Sequence, residues 1–139
     1  MRILALDHGT VRIGVALSDE LLMIAQPLEF IPAEPFAAVV ARLHEILRDK
    51  PAKLLLIGMP RNMDGSHGPA ATKVRDFIAA LQPLVTIPIK TWDERLTSAQ
   101  AHRSLAAANV RQKDRKDKID KMAAAILLQS YLDSLPPAA

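Results

Sequence analysis

The residues of this chain best placed to do chemistry are carboxylates at the ends of apolar runs, and Asp7 is the first of them. It follows Ile3-Leu4-Ala5-Leu6, a continuous apolar run of the kind that fills a fully buried strand. An ionised carboxylate in such a position is costly unless it is paired, capped by backbone donors or bound to a cation. A second acidic pair, Asp93-Glu94, comes directly after Thr91-Trp92. A third source is the start of the last helix, where Asp117 and Asp120 lie three apart on one face. Three acids gathered at one edge offer hard oxygen ligands to Mg²⁺ or Mn²⁺, and a pair of such ions can clamp the attacking and leaving oxygens of a phosphodiester. Taken singly, Asp93 or Asp117 is more often a solvated charge or a helix cap. The chemistry therefore depends on whether the fold brings the acids together.

The elements that must do this can be read in order. After Asp7, Gly9 and Thr10 supply a turn, and Arg12-Ile13-Gly14-Val15-Ala16-Leu17-Ser18 follows so closely that only an antiparallel hairpin can join the two strands. Gly14, in mid-strand, is a place where a backbone or ligand can approach. Gln26-Pro27-Leu28-Glu29-Phe30-Ile31 reads as a third strand, with Pro27 favouring the sheet edge. From Pro35 the period changes: Phe36, Val39, Val40, Leu43, Ile46 and Leu47 mark one stripe of a helix ending near Asp49. Lys53 to Gly58 is a fourth, fully apolar strand, which a right-handed crossover lays parallel to the first. A loop from Met59 to Ser66, a helix marked by Ala70 to Leu81, and a fifth strand over Val85-Thr86-Ile87-Pro88-Ile89 complete the sheet. A further helix is expected from about Leu96–Ser98 to Ala107. Asn109 to Asp117, with no apolar face, is expected to be a mobile loop or an extension of the following helix without buried contacts, and the last helix is expected from Lys118 to about Leu132.

The order β-β-β-α-β-α-β-α-α predicts an α/β fold. Its mixed five-stranded sheet has three antiparallel strands followed by two parallel ones, with helices on both faces, and this is the element order of the ribonuclease H-like fold. One domain is expected over residues 1–135, with 136–139 a frayed tail. In such a sheet the C-terminal ends of strands one, four and five share an edge where ligands collect, so Asp7 and Asp93-Glu94 meet there. The antiparallel second strand carries Asp19 to the opposite end.

Composition limits the alternatives. The chain has 139 residues, a net charge of +3 and no cysteine, which excludes a disulfide framework and thiol chemistry. No apolar run approaches the roughly eighteen residues of a membrane span. With an aspartate already at position 7 no secretory signal is expected, and the predicted compartment is the cytoplasm. Basic residues number seven against eight acidic ones in 1–70, but eleven against seven in 71–139. That asymmetry suits a polyanionic partner bound by the C-terminal half.

Four blocks, Asp7 to Asp19 (DHGTVRIGVALSD), Gly58 to Ser66 (GMPRNMDGS), Asp93 to Thr97 (DERLT) and Asp120 to Gln129 (DKMAAAILLQ), resemble in order the motifs of the YqgF family and span nearly the whole chain. That family is described as pre-16S ribosomal RNA nucleases, earlier as Holliday-junction-resolvase-like. The resemblance implies an acidic metal site of Asp7, Glu94 and Asp120 for Mg²⁺ or Mn²⁺, with Asp93 able to share or replace Glu94. Arg61 departs from the apolar residue or lysine more usual at its place. The implied function is metal-dependent phosphodiester hydrolysis, in 5′-end processing of pre-16S ribosomal RNA. A Holliday-junction endonuclease and a non-catalytic nucleic-acid-binding module are the alternatives, and the chain is expected to be a monomer or homodimer. Asp7-x-Gly9-Thr10 with Gly14 also resembles the phosphate loop of the actin and sugar-kinase superfamily, which however clasps nucleotide between two such domains.

The candidate nucleic-acid contacts are Arg12, Arg61, Asn62, Arg95, Lys113, Arg115 and Lys116. Each has a plainer reading: Arg12 projecting from its strand or pairing with an acid, Arg95 neutralising Asp93, the lysine and arginine run a solvated face. Trp92 reads as core, with base stacking as the alternative, and His8, His67 and His102 as surface or packing residues.

Overall fold

The structure, a computed structural model, describes residues 1–60, 68–94 and 112–136, with the side chains of the last stretch from Met122 onward. Strands β1 (Arg2–His8), β2 (Arg12–Ser18) and β3 (Ala25–Pro32) form an antiparallel meander. Helix α1 (Phe36–Asp49) leads to β4 (Ala52–Met59), and α2 (Pro69–Leu81) with a short 3-10 turn (Gln82–Leu84) leads to β5 (Ile89–Asp93). Helix α3 (Gln112–Ser134) follows. The five strands lie in the order β3-β2-β1-β4-β5, with β4 parallel to both β1 and β5. The mixed sheet is therefore the one the element order predicts.

Strand periodicity divides the apolar residues between two faces. Leu4, Leu6, Ile13, Val15, Leu17, Leu55 and Ile57 face α1 and α2, burying Val39, Leu43 and Ile46 of the first helix and Ala71, Val74, Phe77 and Leu81 of the second. Ile3, Ala5, Ala16 and Leu56 face α3, against Ala124, Ala125, Leu127, Leu128, Tyr131 and Leu132. Burying β1 and β4 on both faces explains their unbroken apolar runs. The edge strand β3 is tied to α1 by Arg42, whose Nε and Nη2 donate to Glu29 at 2.8 and 2.6 Å. At the far end of the sheet the buried Ser18 hydroxyl accepts the Ile3 N–H at 2.8 Å.

Two boundaries differ from the sequence reading. The fifth strand is Ile89–Asp93, not Val85–Ile89: the chain leaves α2 through the 3-10 turn, and pairing begins only after Pro88, with Leu55 opposite Ile89 and Met59 opposite Asp93. Proline cannot donate to a ladder, so here it precedes the strand and does not sit within it. Likewise the last helix begins at Gln112, six residues before Lys118, so of the two forms expected residues 112–117 take the helical extension and not the loop. Lysine, arginine and glutamine have good helix propensity and extend a helix whose anchoring apolar residues lie further on. The helix expected near 96–107 lies outside the described residues. The expected tail at 136–139 does so from residue 137.

Candidate active site

Asp7 belongs to the α3 face of β1, continuing the alternation of Ile3 and Ala5. His8 therefore points the other way, where its ring packs on Phe77 of α2 with centroids 4.6 Å apart. Burial pushes the His8 imidazole below its ordinary value, with Asp7 opposing that shift. This histidine is a packing residue, as its sequence context predicts.

On one side Asp7 is paired with Gly14 of β2. On the other, the parallel register that sets Leu6 beside Ile57 brings Gly58 of β4 next in line. Gly58 in turn pairs with Trp92 of β5. Asp7 is thus flanked by glycine on both neighbouring strands. Neighbouring strands lie about 4.8 Å apart, so Glu94, arriving from β5, must cross β4 to reach β1. It does so over Gly58: a Cβ built there would lie 2.9 Å from both Glu94 Cγ and Cδ. The glycine is the gap through which the glutamate reaches the aspartate.

The Glu94 carboxyl is hydrogen-bonded to the Asp7 carboxylate. Its pKa is pushed up to about 8 from the ordinary 4.5, first by burial, then by the hydrogen bond and charge of Asp7, then by the charge of Asp93. Two carboxylates in hydrogen-bond contact share a proton when no cation is present, which is the electrostatic signature of a site suited to one. The donor set is all oxygen, as a hard divalent ion requires. Among the described residues no group of three metal-capable side chains is assembled. Asp120 lies in α3, four residues and one turn before Ala124. A Cβ at Gly14 would lie 3.6 Å from the Ala124 Cβ and 3.7 Å from the Asp7 Cβ, so that part of α3 passes beside Asp7.

The remaining predicted residues separate clearly. Asp19 lies at the opposite end of β2, where its Oδ1 accepts the Met23 and Ile24 N–H groups at 2.8 and 2.9 Å, and these bonds lower its pKa. Trp92 is core: it packs edge-on to Tyr131, and its Nε1 donates to Ser130 Oγ at 3.2 Å. Among the described residues Arg12 pairs with no acid; its guanidinium lies over the Phe30 ring, 4.0 Å from the centroid. Lys113, Arg115 and Lys116 lie in the first turns of α3. Arg61, Asn62, Arg95, His67 and His102 lie outside the described residues. Sequence reasoning missed the role of Gly58 as the gap for Glu94. The available signal was a glycine late in an otherwise apolar parallel strand, a mark of close approach by another group.

The family model described as "RuvX: Holliday junction resolvase" matches residues 1–134. A Halothermothrix orenii protein named "Putative pre-16S rRNA nuclease" is 47% identical over 133 residues, 96% of this chain and 95% of its own length. A Bacillus subtilis protein of the same name is 43% identical over 137 residues, 97% and 99% of the two chains. Among solved structures, Thermus thermophilus RuvC in complex with a Holliday junction substrate aligns with a TM-score of 0.57 at 15% identity, covering 99% of each chain. The fowlpox virus Holliday junction resolvase aligns with a TM-score of 0.55 at 16% identity, covering 97% of this chain and 100% of its own. At these identities the structural matches carry the fold alone.

Proposed function

The chain belongs to the RuvX family, the family also called YqgF, and from that membership and the acid pair we propose that it is a divalent-metal-dependent nuclease acting on pre-16S ribosomal RNA. The observation that carries the proposal is the Asp7–Glu94 pair, joined across Gly58 at the C-terminal edge of the parallel strands. Asp7 and Glu94 would hold Mg²⁺ or Mn²⁺ together with Asp120, whose place one turn before Ala124 supports its role as third ligand. Asp93 adds negative charge beside Glu94. When bound, the metal supplies an activated water and neutralises charge on the phosphate being cleaved.

The chain's own groups do the rest. Asp7, fixed in a strand hydrogen-bonded on both sides, sets the position of the site. Glu94 holds the proton against Asp7 in the free protein, and would give it up to solvent were a cation held in its place. Arg12, Arg61, Asn62, Arg95, Lys113, Arg115 and Lys116 contact the nucleic acid, the last four from the half of the chain that carries the positive balance. None of the described helices is long and apolar enough to cross a membrane. A role on ribosomal precursors supports a cytoplasmic location.

Junction cleavage is the second reading, favoured by the printed name of the family and by the fold neighbours. It needs two active sites, hence a homodimer, whereas RNA cleavage is open to a monomer. The test is the purified protein with labelled precursor RNA and, separately, a labelled four-way DNA junction, in Mg²⁺ or Mn²⁺ against EDTA, beside filter binding. The proposal expects metal-dependent RNA cleavage that Asp7→Asn abolishes with RNA affinity nearly intact. Junction cleavage without RNA cleavage would favour the second reading. Cleavage of neither substrate, with binding retained, would make the protein a binding module.

A further inference from the structure

The cross-strand row that contains the acid site does not stop at Gly14. Asp7 pairs with Gly14, and Gly14 pairs with Phe30 of the edge strand, so the three side-chain positions share the α3 face of the sheet. Phe30 is 40% exposed. Its distance from the acid is two inter-strand steps, about 10 Å between backbones. Gly14 between them carries no side chain and lets its neighbours close in: a Cβ there would lie 3.6 Å from both Phe30 Cε1 and the Ala124 Cβ and 3.7 Å from the Asp7 Cβ. An open trough of about 340 Å³ runs along this row, lined by Asp7, Thr10, Arg12, Gly14, Phe30 and Ala123. A second hollow of about 330 Å³ continues it toward β3, sharing Gly14 and Phe30.

Arg12 stands on the same face, two residues before Gly14, with its guanidinium over the Phe30 ring. A flat cation on an exposed aromatic ring offers stacking area and positive charge together. Base pairs within a duplex are already stacked, so only an unpaired base can use such a surface. We propose that Phe30 and Arg12 form a stacking subsite for one unpaired base of single-stranded RNA, with the trough that both line running from that base to the phosphate at Asp7. The proposal deepens the nuclease reading and rests on it for the identity of the polymer. It makes Phe30 and Arg12 determinants of specificity for unpaired over paired substrate.

The test is binding in EDTA, which removes cleavage from the readout. A single-stranded RNA oligonucleotide carrying 2-aminopurine is titrated with the full chain, by anisotropy and by quenching of the stacked base, and compared with the same RNA annealed to its complement. Phe30→Leu keeps apolar bulk on the edge strand and is expected to weaken single-strand binding about 5- to 150-fold and abolish quenching, with duplex binding unchanged. Phe30→Tyr, which keeps the ring, is expected to restore both signals. Arg12→Gln is expected to weaken single-strand binding more than duplex binding. Equal loss on both RNA forms, or quenching that survives Phe30→Leu, overturns the proposal. Failure of the nuclease reading is a separate result: no cleavage in any divalent ion, with single-strand preference and quenching as predicted.

Discussion

Replacing Glu94 by glutamine should make the metal-free protein more stable at neutral and alkaline pH. In the fold, burial and the neighbouring Asp7 hold the Glu94 carboxyl at about 8 against an ordinary 4.5. The folded state thus binds this proton more tightly than the unfolded chain does. Its contribution is fully present below about 4.5 and is lost progressively as pH rises to about 8. At about 1.36 kcal/mol per pKa unit the full shift corresponds to roughly 5 kcal/mol, and the partly solvent-open edge and the proton shared with Asp7 reduce this to about 2–3 kcal/mol. Glutamine retains a donor for the Asp7 carboxylate and does not titrate. Urea unfolding in EDTA at a series of pH values should therefore show wild type losing about 2–3 kcal/mol more than Glu94→Gln between roughly pH 5 and 8, equivalent to about 8–12 °C in Tm. Saturating Mg²⁺ at pH 8 should recover that loss in wild type and leave the variant unmoved. Stability curves of wild type and variant that run parallel across this range would refute the reasoning.

The other expectations can be checked on the same preparations. Gly58→Ala places a methyl group 2.9 Å from Glu94 Cγ and Cδ and should lower Mn²⁺ affinity by calorimetry about 10- to 100-fold with the fold retained, whereas Gly14→Ala, whose new methyl meets neighbours at 3.6–3.7 Å, should leave it unchanged. Ser18→Ala leaves the buried Ile3 N–H without its acceptor and should cost about 1–3 kcal/mol in urea unfolding, with nuclease activity per folded molecule unaltered. Neutralising Lys113, Arg115 and Lys116 together should reduce the slope of log affinity against log salt by roughly 0.7–0.9 per lost phosphate contact, and an unchanged slope would make this run a solvated face.

Much of this arrangement is legible in the sequence because local signals and global topology agree. The apolar runs before Asp7 and Gly58 are long enough to require burial on both faces, and the tight Gly9-Thr10 turn leaves only a hairpin. From these follow the strand directions, and from the directions the meeting of Asp7 with Glu94 and the exile of Asp19. The start of β5 was less legible because Val85, Ile87 and Ile89 alternate like a strand, while the ladder with β4 opens only beyond Pro88. The first turns of α3 carry no apolar stripe, so their helicity comes from propensity and from continuation into the packed segment at Ala124 and Leu128. The passage of Glu94 over Gly58 could not be read from spacing, since it depends on how a side chain folds back across a neighbouring strand. Nor could the stacking of Arg12 on Phe30, which arises from the register of β2 with β3.

The central claim is that the Asp7–Glu94 pair is a divalent-metal site, and anomalous scattering from crystals soaked in Mn²⁺ tests it most directly. The account predicts an ordered ion about 2.1 Å from one oxygen of each carboxylate, a further oxygen from Asp120, and no direct hydrogen bond left between Asp7 and Glu94. An anomalous map without a peak there at saturating Mn²⁺, with the two carboxyl groups still hydrogen-bonded to each other, would contradict it.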